Sequence, residues 1–213
     1  MLAKWPGTGR AKRRLGVAVG TPASTALARA FLTDTATLAA RCEAGVTIVA
    51  CAPPSAAGRM SVAFPGARLV AQPRGSLGTR LADALDAGLE RAHAVVLIGT
   101  DSPTLDPRIV QAAFTELNGG ADCVLGPSRD GGYYLIGCRT HLPRTLFSSM
   151  PWSTAAVFST TRERVRAAGL RLAVLPEGYD VDDAVSLALL RSDQAGLRRA
   201  PATAATLREI GLA

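Results

Sequence analysis

Short apolar runs alternate along this chain with longer stretches in which apolar residues recur every three to four positions. The runs are four to six residues long and rich in Val, Ile and Leu, which is typical of strands buried in a parallel sheet. They predict strands at 46–50, 68–72, 95–98, 122–125, 133–138 and 171–175. The periodic stretches between them predict helices at 21–45, 77–91, 107–120, 153–169, 184–190 and 203–210, the last within a C-terminal segment 201–213.

This alternation predicts an α/β domain with helices on both faces of a mostly parallel sheet, a three-layer α/β/α Rossmann-like arrangement. The length of 213 residues suits one such domain over residues 1–213. Very few apolar residues precede the first loop, so we expect the first strand to be short or missing and the chain to start late relative to a complete domain.

The composition of the chain argues against several classes of protein. Nearly half of the residues are apolar and about a fifth are charged, which excludes a disordered chain. No apolar run reaches the roughly 18 to 20 residues that cross a bilayer, and the start lacks an apolar signal segment, so we expect a cytoplasmic protein without a membrane partner. The cysteines form no CxxC pair and are interpreted as reduced thiols that bind no zinc: Cys42, Cys51, Cys123 and Cys138.

The net charge of +7 comes almost wholly from arginine. Few aromatic residues lie between these arginines, and no helix-turn-helix or RNA-recognition pattern is visible. A nucleic-acid partner is therefore the weaker inference. The oligomeric state is not readable from the sequence.

The strongest candidate site follows the central strand at 95–98. Asp101 stands just beyond the carboxyl end of this strand, where open α/β sheets bind their ligands. A carboxylate there is well placed to hold a divalent cation, which in turn holds phosphate oxygens. The alternative is that Asp101 only caps a turn with Ser102 and Pro103.

A Gly- and Pro-rich loop followed by basic residues opens the chain, and we interpret 1–20 as a phosphate-binding segment. Gly7 lets the backbone approach a phosphate closely, and Lys12 and Arg14 supply positive charge. A solvated basic tail is the alternative. A second glycine turn follows the strand at 68–72, and its candidate nucleotide-binding residues are Gln72, Gly75 and Gly78, although this signal is weak alone.

Two further loops carry candidate residues. Asp130, Gly131 and Gly132 lie between two strands, where Asp-Gly-Gly is also an ordinary turn sequence. Trp152 stands in a loop and either stacks on a base or sugar or packs beneath the loop.

The stretch Tyr179-Asp180-Val181-Asp182-Asp183 carries three carboxylates in four residues. These charges repel one another unless a cation neutralises them, so the cluster supplies the second half of a plausible metal site. The alternative is an acidic helix start that is favoured by the helix dipole.

Taken together, these motifs resemble the glycosyltransferase-like transferase family encoded near radical-SAM and selenium-associated genes. That family is more distantly similar to phospholactate guanylyltransferase and the molybdenum-cofactor nucleotidyltransferases, all with the nucleotide-diphospho-sugar transferase (GT-A) fold. The resemblance rests on Lys4-x-Pro6-Gly7, Lys12-x-Arg14-Leu15, Gly99-Thr100-Asp101-Ser102-Pro103, Asp130-Gly131-Gly132-Tyr133-Tyr134, Pro151-Trp152-Ser153-Thr154 and Tyr179-Asp180-Val181-Asp182.

The resemblance implies a nucleotide bound across the carboxyl edge of the sheet, with Asp101 and Asp182 holding Mg²⁺ or Mn²⁺. It also implies that Asp130 contacts a hydroxyl as a second catalytic residue, and that Gly131, Gly132, Tyr133 and Trp152 surround the sugar or acceptor. We expect a transferase that uses a nucleotide sugar or a nucleoside triphosphate and a small-molecule acceptor. Glycosyl transfer is the expected reaction. Nucleotidyl transfer of the guanylyltransferase type is the alternative, and a non-catalytic nucleotide-binding protein is the second alternative.

Overall fold

The computed structural model describes residues 1–7, 12–42 and 44–212. Residues 8–11 of the predicted phosphate-binding segment lie outside this range, and the rest of that segment lies within it.

Seven strands lie in two sheets of the described chain. The first sheet has the order β1-β2-β3, and both pairings are parallel. The second has the order β4-β6-β5-β7, in which β6 runs antiparallel to both neighbours and β5 pairs parallel with β7. The strands are β1 (Leu2–Lys4), β2 (Ile48–Ala52), β3 (Arg68–Ala71), β4 (Val95–Ile98), β5 (Cys123–Pro127), β6 (Tyr133–Cys138) and β7 (Leu172–Val174).

The predicted α/β fold is confirmed, and the first strand is indeed short at three residues. The antiparallel strand β6 arises because β5 and β6 form a hairpin around the Asp-Gly-Gly turn.

Helices cover the rest of the described chain apart from loops and two short 3₁₀ turns at 54–56 and 144–146. They are α1 (Arg13–Val19), α2 (Thr21–Arg41), α3 (Ala57–Ala63), α4 (Leu77–Leu89), α5 (Pro107–Asn118), α6 (Val157–Ala167), α7 (Ala184–Ser192), α8 (Gln194–Arg199) and α9 (Pro201–Glu209).

Several predicted helix boundaries were wrong for local reasons. Helix α2 begins at Thr21, after Gly20 as its N-cap, and ends at Arg41 instead of reaching Gly45. Helix α6 begins four residues after Ser153, because Ser153 has a left-handed backbone with φ of 65° that a right-handed helix does not accept. Helices α1 and α3 were not predicted, since each is only seven residues long and buries a single side chain.

Successive side chains in the strands of the second sheet point to opposite faces, and this divides the core into two layers. Leu97, Leu125 and Ile136 face a cluster that includes α4 and α6. Their neighbours Ile98, Val124 and Leu135 face a cluster built on α5. Helices therefore cover both faces of this sheet, as the three-layer prediction requires.

Two smaller clusters complete the core. One joins α1 and α2 to α7 and α9 through Leu15, Phe31 and Val181. The other packs α2 and α3 on β1 and β2. The four cysteines are free thiols. Within residues 1–7, 12–42 and 44–212, none of the helices combines the length and apolar character needed to cross a membrane.

Candidate active site

A cavity of about 750 Å³ lies at the edge of the sheets where β1, β3 and β4 end. Trp5 and Pro6 follow β1, Gln72 follows β3, and Asp101 follows β4. The β5–β6 hairpin turn, with Asp130, closes the other end of the cavity. The cavity thus lies where ligands bind in open α/β sheets, as the position of Asp101 predicted.

Two aspartates from distant parts of the chain converge on one cation at this cavity. The Nζ of Lys12 lies 2.6 Å from Oδ1 of Asp101 and 2.6 Å from Oδ1 of Asp182. The Nη2 of Arg14 lies 3.2 Å from Oδ2 of Asp182. The Lys12 side chain is only 7% exposed, and a buried ammonium needs partners of opposite charge. The two carboxylates provide them in the cavity wall.

The charges of this group set its pKa values. Burial lowers the pKa of Lys12, but the two carboxylates outweigh burial and raise it above its ordinary value. Burial raises the pKa of Asp182, but the ion pairs with Lys12 and Arg14 outweigh burial and hold it below its ordinary value. Lys12 and Asp182 are therefore both charged at neutral pH.

Hydrogen bonds join the loops that carry the two aspartates. The backbone N–H of Val181 donates to the carbonyl of Asp101 at 2.8 Å. The hydroxyl of Ser102 donates to Oδ1 of Asp180. The relative position of Asp101 and Asp182 is thus fixed by contacts of their immediate neighbours.

The start of α7 reconciles the two interpretations of the acidic stretch. Asp183 is the N-cap and accepts a hydrogen bond from the backbone of Ser186. The Ser186 hydroxyl in turn accepts from the backbone N–H of Asp182 and of Asp183. Asp183 therefore caps the helix, as the alternative proposed, while Asp182 faces the cavity.

Asp180 lines the cavity; it belongs to the predicted acidic stretch, but only Asp182 was singled out there as a metal ligand. Burial, together with the charges of Asp101 and Asp130, raises the pKa of Asp180 to about 6, while the Ser102 hydrogen bond acts in the opposite direction. A sequence signal existed, because side chains two residues apart on an extended segment share a face, so Asp180 accompanies Asp182. Trp5 was missed because its loop was interpreted only through its glycines and charges.

Left-handed backbone conformations cluster around the cavity. Among the described residues, the non-glycine positions with positive φ are Lys12, Ser149 and Ser153, and the first and last line the cavity. This conformation costs about 1 to 2 kcal/mol for an L-residue, and such residues concentrate at functional sites.

The Asp-Gly-Gly segment is both a hairpin turn and a wall of the cavity. Oδ1 of Asp130 accepts a hydrogen bond from the backbone of Gly132 at 2.9 Å, and both residues line the cavity. Gly131 has φ of 85° and packs so closely that an added Cβ would lie 2.3 Å from the backbone of Ala155. Gly131 is therefore required by packing, and it does not line the cavity.

The other candidate glycines also lie outside the cavity lining. Gly78 is buried, and an added Cβ would lie 2.7 Å from the carbonyl oxygen of Phe147. Gly75 has φ of 113°, a backbone conformation that favours glycine, so the turn itself accounts for this residue and no ligand is needed to explain it. Gly7 has open space around it. Gln72, by contrast, lines the cavity and accepts a hydrogen bond from Arg80 at 3.4 Å.

Two aromatic residues form the wall next to the hairpin turn. Trp152 and Tyr133 both line the cavity and pack against the core cluster under α4 and α6. The Trp152 ring thus packs beneath its loop and also faces the cavity, whereas its stacking on a base or sugar stays a prediction. The buried hydroxyl of Tyr133 has no hydrogen-bond partner within the described part of the chain.

The donor set fits a divalent cation of the Mg²⁺ or Mn²⁺ type. Such ions prefer carboxylate oxygens and are commonly held by one or two carboxylates together with substrate phosphates and water. Asp101 and Asp182 present oxygens to one point, which meets that requirement. No group of three His, Cys, Asp or Glu side chains among the described residues is arranged to hold a metal by itself.

Comparison with known structures extends these observations. A protein from Desulfovibrio desulfuricans G20 that carries the provisional name nucleotide-diphospho-sugar transferase superimposes with a TM-score of 0.89 and 32% identity, over 98% of this chain and 93% of that chain. This similarity confirms the predicted resemblance to nucleotide-diphospho-sugar transferases.

Two more distant structures share the fold. CMP:2-keto-3-deoxy-manno-octonic acid synthetase complexed with CTP has a TM-score of 0.55 and 16% identity, over 90% of this chain and 95% of that one. 4-Diphosphocytidyl-2C-methyl-D-erythritol synthase has a TM-score of 0.55 and 14% identity, over 89% of this chain and 95% of that one.

Sequence comparison gives the family. No curated protein sequence matches this chain significantly. Residues 35–154, which include β4, Asp101 and the Asp-Gly-Gly turn, match the family described as "Uncharacterized protein conserved in bacteria (DUF2064)". The chain belongs to the DUF2064 family.

Proposed function

We propose that this protein is a metal-dependent transferase that binds a nucleotide sugar and transfers its glycosyl group to a small-molecule acceptor. The observation that supports this most is the convergence of Asp101 and Asp182 on one cation position within the cavity. Two carboxylates facing one point in a cavity of this size suit a cation that is shared with donor phosphates.

The donor occupies the part of the cavity that is formed by the N-terminal half of the chain. Trp5 and Gln72 line the end where the nucleoside lies. Lys12 and Arg14 supply the positive charge that meets the phosphates. Gly7 and Gly75, which lie outside the lining, shape the loops around this end, whereas Gly78 lies in α4 and packs against Phe147.

Asp101 and Asp182 would hold Mg²⁺ or Mn²⁺. When bound, the ion supplies charge neutralisation to the phosphate that leaves with the nucleoside, which is electrostatic stabilisation. Arg14 assists from the rim, because its guanidinium already contacts Asp182 and remains partly exposed to an incoming phosphate.

The acceptor occupies the end beside the hairpin turn. The Gly132 backbone holds one carboxylate oxygen of Asp130, so this side chain has a fixed orientation at the cavity wall. Asp130 accepts a hydrogen bond from the acceptor hydroxyl and takes its proton as the glycosyl bond forms. Trp152 and Tyr133 offer ring surface to a sugar or a similar acceptor, and Gly131 keeps the turn against the loop before α6.

Nucleotidyl transfer is the second candidate, and the basic run from Lys12 to Arg14 favours it. These residues line the cavity together and bring three positive side chains to the phosphate end, which suits the larger charge of a triphosphate. In that reaction the acceptor attacks the α-phosphate of a nucleoside triphosphate and pyrophosphate leaves.

The leaving group distinguishes the candidates. Purified protein is incubated with Mn²⁺, a panel of phosphorylated and hydroxylated acceptors, and either nucleotide sugars or nucleoside triphosphates. Release of a nucleoside diphosphate supports glycosyl transfer, and release of pyrophosphate supports nucleotidyl transfer. Donor binding without either product supports the non-catalytic alternative, and salt-sensitive binding of DNA or RNA instead of nucleotides contradicts the proposal.

A further inference from the structure

The ammonium of Lys12 lies at the point where the proposed metal ion would bind. It is 2.6 Å from one oxygen of Asp101 and 2.6 Å from one oxygen of Asp182. It also lies 5.8 Å from the ring centre of Phe31, a fully buried aromatic residue. This cation is therefore built into the cavity wall, in contrast to the exposed side chain of Arg14.

A divalent ion on the same two oxygens cannot coexist with this ammonium. The two cations would be a few ångströms apart beside the buried Lys12 side chain, where water screens like charges poorly and they repel strongly. Asp101 and Asp182 consequently hold either Lys12 or a metal ion. Removal of both the Lys12 ammonium and the metal ion is also unfavourable, because the two carboxylates would then face each other without a counter-ion.

We propose that Lys12 is an internal counter-ion that competes with the divalent metal for Asp101 and Asp182, and that donor phosphates favour the exchange by giving the ammonium a second anionic partner. This inference rests on the proposed function, because it assumes that a metal and a phosphorylated donor bind in the cavity. Metal alone binds weakly to the resting protein, and metal and donor bind cooperatively.

The surroundings of Lys12 permit this exchange. The lysine side chain is a flexible four-carbon stem, so the ammonium reaches new partners without movement of α1. The backbone of Lys12 is held by its own hydrogen bond, in which its carbonyl accepts from Gly16 at 2.7 Å. Arg14 remains paired with Asp182 through a different oxygen, Oδ2, and does not occupy the shared point.

Metal binding without nucleotide tests the competition. Free Mn²⁺ is measured by electron paramagnetic resonance during titration of the wild-type protein, Lys12→Met and Arg13→Met. The control Arg13→Met removes the same charge from a cavity-lining residue that forms no ion pair with the described residues. We expect Lys12→Met to bind Mn²⁺ about tenfold more tightly or better than the wild type, and Arg13→Met to resemble the wild type.

Three results of these titrations would overturn the proposed competition. Equal or weaker Mn²⁺ binding by Lys12→Met overturns the competition, while donor binding and product release still test the proposed function independently. Absence of Mn²⁺ binding by both the wild type and Lys12→Met also overturns the proposed competition. Asp101→Asn in the Lys12→Met background must abolish the gained affinity, and retained affinity places the metal elsewhere and overturns the inference.

A second measurement observes Lys12 directly. The chain has only two lysines, Lys4 and Lys12, so selective isotope labelling of lysine gives two side-chain signals that a Lys4→Arg variant assigns. Saturating Mg²⁺ should shift the Lys12 signal and leave that of Lys4 in place. Metal saturation with an unshifted Lys12 signal overturns the displacement.

Discussion

The hydroxyl of Ser102 donates a hydrogen bond to the carboxylate of Asp180, and this contact joins the loop after β4 to the loop before α7. Asp101 and Asp182 stand next to these two residues, so the contact helps to bring them to the same cation. Asp180 has no ion-pair partner among the described residues, and its buried carboxylate faces the charges of Asp101 and Asp130. The site therefore contains a carboxyl group that opposes folding when it is ionised.

Asp180→Asn should stabilise the metal-free protein at high pH. The pKa of Asp180 is raised from its ordinary value of 3.8 to about 6, so the folded state binds more protons than the unfolded state between these values, and stability falls as pH rises through this range. Asn keeps an oxygen for Ser102 and removes the charge. We expect a gain of about 2 kcal/mol at pH 8 that disappears below about pH 4.

Urea unfolding in chelator-containing buffer from pH 4 to pH 8 measures this effect. Glu116→Gln, which removes a carboxylate from the exposed face of α5, is the control and should change stability by less than about 0.5 kcal/mol at any pH. A gain for Asp180→Asn that does not vary with pH would show that charge is not its cause.

Asp101→Asn should lower turnover by about a hundredfold or more with the fold retained. The substitution removes one of the two charges that face the shared cation, whereas Lys12 keeps its contact with Asp182. Initial rates of product release and far-ultraviolet circular dichroism measure the two effects. Asp106→Asn is the matched control, because Asp106 caps α5 outside the cavity lining and Asn caps a helix equally well. Full activity of Asp101→Asn contradicts the role assigned to Asp101.

Asp130→Asn should reduce turnover without destabilising the protein. Its side-chain oxygen still accepts the hydrogen bond from Gly132, so the turn persists, but the amide cannot take a proton. We expect a loss of about 10²-fold or more in kcat with little change in donor affinity. Asp130→Ala should add a loss of stability of about 1 kcal/mol, because the Gly132 N–H loses its partner. Unchanged kcat in Asp130→Asn would exclude proton transfer by Asp130.

Gly131→Ala should destabilise the fold by about 2 kcal/mol or more. The new methyl group would lie 2.3 Å from backbone atoms of Ala155, and φ of 85° is itself unfavourable for alanine. Gly58→Ala provides the contrast, since Gly58 lies in α3 with open space around it and should gain up to about 1 kcal/mol. Thermal unfolding measures both variants, and equal midpoints would show that the hairpin turn can move away from Ala155.

Sequence reasoning succeeded where local rules decide the structure. The apolar runs located β4 and β6 to the residue, since both carry continuous hydrophobic sequence. Asp106 caps α5, and Asp followed by Pro at the first helical position is a strong local signal for such a cap. The position of Asp101 after a buried strand likewise follows from the strand alone.

Long-range contacts could not be predicted in the same way. The sequence indicated that Lys12 and Asp182 bind ligands, but not that they bind each other across 170 positions, because that pairing depends on how α1 packs against α7. The start of α6 was misplaced because no sequence rule indicates a left-handed serine at position 153. Gly78 was interpreted through ligands, whereas its small size is required by Phe147, which is distant in the chain.

The central claim is that Asp101 and Asp182 form a metal site that binds donor phosphates. Its most direct test is the unfolding midpoint of the wild-type protein with nucleotide sugars and nucleoside triphosphates, each with and without Mn²⁺. We predict a midpoint increase that requires both Mn²⁺ and one donor, equivalent to about 2.7 kcal/mol at a hundred times the dissociation constant, and that is lost in Asp101→Asn. The absence of a Mn²⁺-dependent increase with every donor, or an equal increase in Asp101→Asn, would contradict the account.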